Sequence, residues 1–148
     1  MTKYSPDPKR QRELPVNENV VRIAESLADW PSDELATSAA LVGRIISARR
    51  ERSNHLPARL FSEPAWDMML ELLHGELADR PVTVAMLIDA SGVSHRAAIR
   101  WLNALEAHGL VARGATAETR KSEQVELTNE ARRTFRKYFR QVRGDSQA

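Results

Sequence analysis

A mainly α chain carrying one small β-hairpin is the fold class this sequence predicts, and three observations predict it. Apolar residues recur at three- and four-residue spacing through most of the chain, the period of a one-sided helix. A glycine turn, Ser91-Gly-Val-Ser94, separates two such stretches, Thr83 to Ala90 and His95 to His108. Two short strand-like stretches, Leu110–Arg113 and Lys121–Leu127, follow Gly109. Helix, tight turn, helix and hairpin in that order spell a winged helix-turn-helix. The helices on either side, N- and C-terminal, are expected to form a dimerisation layer.

A chain of 148 residues can bury a core of its own as one domain. Its 42% hydrophobic and 28% charged residues are those of a soluble globular protein. With no cysteine there is no disulfide or thiolate chemistry, which suits a reducing compartment. The stretch from Met1 to Arg10 lacks the apolar run of a signal peptide. No segment approaches the ~20 apolar residues of a membrane span. The expected location is therefore cytoplasmic, at the nucleoid, with no membrane partner.

Net charge is only +2, but the charge is segregated. Arg132, Arg133, Arg136, Lys137, Arg140 and Arg143 follow one another with no acid between Ala131 and Gly144, whereas Glu63, Asp67, Glu71, Glu76 and Asp79 crowd an earlier stretch. That pattern predicts a molecule with one basic face.

The elements follow in order. Residues 1–16 set Pro6, Pro8 and Pro15 among Lys9, Arg10 and Arg12 and read as a flexible, mildly basic arm. Residues 17–60 carry the N-terminal helices of the dimerisation layer. Asn19 caps the first, with Val20, Ile23, Ala24 and Leu27 inward, and Trp30-Pro31 ends it. Ser32 is expected to cap the second, with Asp33 and Glu34 in its first turn, where negative charge suits the helix dipole. Leu35, Ala39, Val42 and Ile46 form its stripe, widened by Leu41 and Ile45, and Arg49 to Arg52 close it before Pro57.

The DNA-binding domain is expected over residues 61–128. Ser62-Glu-Pro64 starts its first helix, proline being tolerated in the first turn. Trp66, Met69, Leu70, Leu73 and Leu77 face inward there, and the acids face out. Arg80-Pro81 stops it and Thr83 caps the next helix. Gly92 supplies the positive φ of the sharp turn, with Leu87 and Val93 packed beneath. Ser94 caps helix 94–108, whose free N–H groups favour phosphate. Ala98, Trp101, Leu102 and Leu105 are expected inward on it; His95, Arg96, Ile99, Arg100 and Asn103 outward. Arginine can bridge guanine O6 and N7, asparagine adenine N6 and N7, and isoleucine can meet a thymine methyl. Gly114–Thr119 reads as a loop, and the return strand puts Val125 and Leu127 on one face. Within residues 129–148, Thr128 caps a final helix with Phe135, Tyr138, Phe139 and Val142 as an aromatic stripe. Arg132, Arg136 and Arg140 lie on its opposite face, available to phosphates, while the stripe suits a dimer interface or the core.

These residues also carry a family resemblance. Leu87-Ile-Asp-Ala-Ser-Gly-Val-Ser94, Leu102-Asn-Ala-Leu-Glu-Ala-His-Gly-Leu-Val111, the wing and Val125-Glu-Leu-Thr128 resemble, in order and spacing, the MarR family of bacterial regulators over roughly residues 62–130. The resemblance implies a homodimer on a near-palindromic double-stranded operator, repression of transcription, and release by a small-molecule effector. It also implies that Arg120, with Lys121 beside it on the wing at 113–124, reaches the minor groove or backbone. The implied DNA contacts are thus Ser94, His95, Arg96, Ile99, Arg100, Asn103, Arg120 and Lys121. The chain departs from the family in two places: Thr119 stands where an aspartate usually precedes the wing arginine, and one helix rather than two follows the wing.

Other chemistry is thinly represented. His55, His74, His95 and His108 occur singly, without metal-ligand spacing, and all but His95 are expected in solvent. Asp67 and Glu71 read as a solvated acidic face rather than an acid–base pair. No phosphate-cradling loop, dinucleotide fingerprint or nucleophile motif is present, so neither a cofactor nor an enzyme is expected. Trp30 and Trp66 read as core tryptophans, with an effector pocket as the alternative. A winged-helix protein-interaction module without sequence-specific DNA binding is the competing function.

Overall fold

The computed structural model describes residues 30–114 and 123–144. The expected basic arm, the helix expected after Asn19, and the wing tip with Arg120 and Lys121 lie outside these residues. Five helices and three short strands follow in order: α1 (Ser32–Ser53), a 3-10 turn (Ala58–Leu60), α2 (Pro64–Leu77), β1 (Val82–Thr83), α3 (Val84–Ser91), α4 (His95–Ala107), β2 (Val111–Arg113), β3 (Gln124–Leu127) and α5 (Asn129–Arg143). The chain is thus mainly helical with a small antiparallel sheet. No helix among the described residues is long and apolar enough to cross a membrane.

Helix α2 is the hub, packing on α1, α3, α4 and the sheet. Its Met68, Leu70, Leu72 and Leu73 are fully buried and meet Val42 of α1, Leu87 of α3, Ala98 and Leu102 of α4, and Phe135 and Phe139 of α5 in one apolar core. Each such side chain removed from water contributes roughly 1.5–3 kcal/mol.

The sheet has the order β1-β3-β2. Val111 pairs with Leu127 and Arg113 with Val125, while Val82 pairs with Val125 across the other edge. Strand β1 is an addition to the expected hairpin. It is too short for alternation to reveal, and it closes the sheet against the core through buried Val82.

Several local expectations hold. Pro64 opens α2 in its first turn. Thr83, Ser94 and Thr128 each cap the helix that follows, accepting the N–H of Met86, Ala97 and Ala131 at 3.2 Å. Ser32 does not cap: it is the first residue of α1, and the Pro31 carbonyl accepts the Leu35 N–H instead.

Some outward and inward assignments change. Trp101 is 43% exposed, because the buried face of α4 is narrower than expected and holds only Ala98, Leu102 and Leu105. In the aromatic stripe Phe135 and Phe139 are buried in the core, while Tyr138 and Val142 are exposed on the single chain, on the stripe expected to suit a dimer interface or the core. The acids of α2 are not a solvated face. The cationic end of α1 lies across them: Arg49 binds Glu63 at 2.8 Å and Asp67 at 2.5 Å, and Glu71, only 9% exposed, is flanked by Arg50 and Arg80. His74, expected in solvent, is half-buried and accepts from Arg80 at Nδ1.

Candidate nucleic-acid interface

The turn between α3 and α4 is held by its own side chains. Ser91 is buried; its hydroxyl donates to the Ile88 carbonyl at 2.7 Å and accepts the Val93 N–H at 3.3 Å. Gly92 then takes φ 72°, the left-handed region that a Cβ penalises. Ser94 leaves the turn with extended backbone and caps α4 by accepting the Ala97 N–H, which leaves its O–H free to donate. The N-terminus of α4 is exposed through Ser94, His95 and Arg96, and its dipole makes that end positive.

With Ala98, Leu102 and Leu105 anchored in the core, Arg96, Arg100, Asn103 and Ala107 face away from it. His95, Arg96 and Arg100 are exposed, and none has a hydrogen-bond or ion-pair partner among the described residues. Ile99 is half-buried at the edge of this face. The structure therefore brings six expected residues, Ser94, His95, Arg96, Ile99, Arg100 and Asn103, onto one helix. Arg120 and Lys121 fall outside the described residues.

Asn103 is not free. Arg113, the last residue of β2, donates through Nη2 to Asn103 Oδ1 and through Nε to Glu106 Oε1 at 3.1 Å. Sequence reasoning missed Arg113 as part of this face. A weak signal existed: Asn103 and Glu106 sit one turn apart on α4, and Gly109, at φ 73°, reverses the chain so that β2 lies against that helix.

The expected basic face of the last helix is mostly consumed inside the molecule. Arg132, 3% exposed, grips Glu76 of α2, while Arg136, Arg140 and Arg143 converge on Glu34 of α1 at 3.1, 3.0 and 3.6 Å. Burial pushes the Glu34 carboxyl up, but hydrogen bonds from Arg136 and Arg140, with their charges, outweigh it and hold the group at about 2, down from 4.5. Arg132, Arg136 and Arg140 are thus clamps between helices and not a surface offered to phosphates. Only Arg133 and Lys137 of that run remain fully exposed.

Trp30 and Trp66 serve separate places. Trp30 is buried beneath the Arg136 guanidinium, 5.3 Å from its ring. Trp66 packs on Phe135 and edge-on against Tyr138. These three residues, with Met69, Leu105 and Leu110, line an open apolar cavity of about 340 Å³. Among the described residues no group of His, Asp or Glu could hold a metal ion. Comparison with protein-family models, with curated proteins and with solved structures finds no match to this chain.

Proposed function

We propose that this chain is a winged helix-turn-helix regulator of transcription that binds double-stranded DNA sequence-specifically, as a homodimer, and represses. Helix α4 enters the major groove with Arg96 and Arg100 reading guanine edges, His95 and the helix N-terminus meeting phosphate, and Ile99 beside a thymine methyl. The wing at 113–124 follows the minor groove or backbone with Arg120 and Lys121. Two-fold symmetry sets the two copies of α4 ~34 Å apart, one turn of duplex. The cavity beside Trp66 and Tyr138 is where an effector would bind.

One observation carries this reading. Arg49, Arg80, Arg132, Arg136, Arg140 and Arg143 are all tied to carboxylates, whereas Arg96 and Arg100, like Arg44, Arg59 and Arg133, have no partner among the described residues, and these two share the outward face of the anchored, well-capped helix that follows the Gly92 turn. Selection of bound duplexes from a random pool tests it. A recovered palindrome with half-sites one helical turn apart is the expected result; failure to enrich any motif would sink the reading.

Exposed Trp101, Leu60 and Phe61 favour a second reading, an interaction module that docks another protein through apolar side chains. A protein that shifts neither mixed nor selected duplex in a gel, at low salt, would favour this second reading.

A further inference from the structure

We infer that Asn103 and Arg113 act as one composite reading head, in which a guanidinium screens the asparagine's acceptor, and so selects guanine, not adenine, at the base step facing Asn103. The inference rests on the DNA reading above and specifies part of it.

A guanidinium has no acceptor, so the Asn103 atom facing Arg113 must be the carbonyl oxygen, Oδ1. The amide orientation is thereby set by chemistry. Its Nδ2 is turned away with both hydrogens unused, and nothing among the described residues accepts them. Along the same guanidinium edge Glu106 takes Nε at 3.1 Å, and Nη1 has no partner among the described residues. The head therefore has Nδ2–H of Asn103 and Nη1–H of Arg113 as donors without an acceptor among the described residues.

A free asparagine reads adenine because it can give a proton to N7 and take one from N6. Here Arg113 already takes one lone pair of the accepting oxygen, and an adenine amino group brought to the other would meet guanidinium N–H groups beside it, donor against donor. Guanine shows two acceptors in the major groove, N7 and O6, which match two donors. Glu106 balances the charge of Arg113, so the head adds little to sequence-independent attraction for phosphate. Its contribution is a preference between bases.

The test is duplex selection with the full chain in parent form, Asn103→Ala, Arg113→Ala and Arg113→Met, the last keeping the aliphatic stem should the alanine variant fail to fold. Asn103→Ala identifies the step by relaxing it. The parent is expected to favour guanine over adenine there by on the order of tenfold. Loss of Arg113 is expected to move the preference at that one step toward adenine and leave the others in place. A parent that enriches adenine at the step overturns the reading head while DNA binding stands. So does an Arg113 variant that weakens every site equally with its preferences intact, the behaviour of a purely structural residue, or a motif that Asn103→Ala leaves unchanged. A parent that selects no motif overturns the DNA reading itself.

Discussion

Arg132 of α5 grips Glu76 of α2 through two parallel hydrogen bonds, Nε to Oε1 at 2.7 Å and Nη2 to Oε2 at 3.0 Å, with both side chains under a tenth exposed. Glu76 Oε2 also accepts the Leu127 N–H at 3.3 Å, and Asn129 takes Arg132 Nη1 at 2.6 Å. One carboxylate thus joins α2, β3 and α5. Glu76→Ala leaves a buried guanidinium with most of its charge uncompensated and is expected to cost about 3–5 kcal/mol in urea unfolding. Glu76→Leu combined with Arg132→Met should recover most of that, since neither charge then remains to be desolvated. A Glu76→Ala variant within 1 kcal/mol of the parent, on the order of a surface pair, would remove the pair from the fold's main supports.

The Glu34 cluster makes stability depend on pH in a defined window. Its folded carboxyl is depressed to about 2 from 4.5, so its contribution is fully present above the unfolded value and is lost as pH falls through the folded one. Thermal unfolding of the parent and of Glu34→Gln should differ by a constant amount from pH 7 down to about 4.5 and converge between there and about 2. A gap that closes already between pH 7 and 5 would contradict the pairing of Glu34 with Arg136 and Arg140.

Two glycines should respond to alanine for different reasons. At Gly92 nothing lies within 4 Å of an added Cβ, so the cost is only that of forcing φ 72° on a residue with a side chain, about 1–2 kcal/mol. At Gly75, inside α2, the backbone is ordinary for a helix and alanine would help by ~1 kcal/mol in open space. There, however, the new methyl would stand 2.5 Å from Val82 Cγ2 and 2.8 Å from the Arg80 carbonyl, where β1 crosses the end of α2. Gly75→Ala is therefore expected to destabilise more than Gly92→Ala in chemical denaturation. The reverse order would mean that β1 yields easily.

The legible parts of this molecule are those whose chemistry is local. Gly92, Thr83, Ser94 and Thr128 announce the turn and the helix starts within four residues of what they bind. The charge pattern misled because its partners are remote: Arg136 meets Glu34 across 102 positions and Arg132 meets Glu76 across 56. A run of arginines looks the same in sequence whether it faces water or clamps two helices. Trp101 misled differently. It lies at the edge of the α4 stripe, where periodicity alone cannot say how far the neighbouring helices reach around. Arg113 escaped notice because its partners, Asn103 and Glu106, become neighbours only once Gly109 has turned the chain back along α4.

The distinction between arginines that clamp helices and those proposed to read bases gives the last prediction. Arg100 is exposed on α4 and has no partner among the described residues, whereas Arg140 donates to both oxygens of Glu34, at 3.0 and 3.2 Å. Arg100→Ala should leave the melting temperature unchanged and cost about 1–3 kcal/mol of binding to a selected duplex, with specificity relaxed at one base step. Arg140→Ala should do the opposite, costing about 1–2 kcal/mol of stability through lost charge-assisted hydrogen bonds and leaving affinity for DNA intact in the folded fraction. Lys121→Ala, in the proposed wing, should weaken all sequences alike and flatten the salt dependence by about one unit, as loss of a single phosphate contact does. Fluorescence titration at several salt concentrations, beside a melting curve for each variant, separates the three. If Arg140→Ala weakened binding in the folded protein while Arg100→Ala did not, the last helix and not α4 would be the surface that meets DNA.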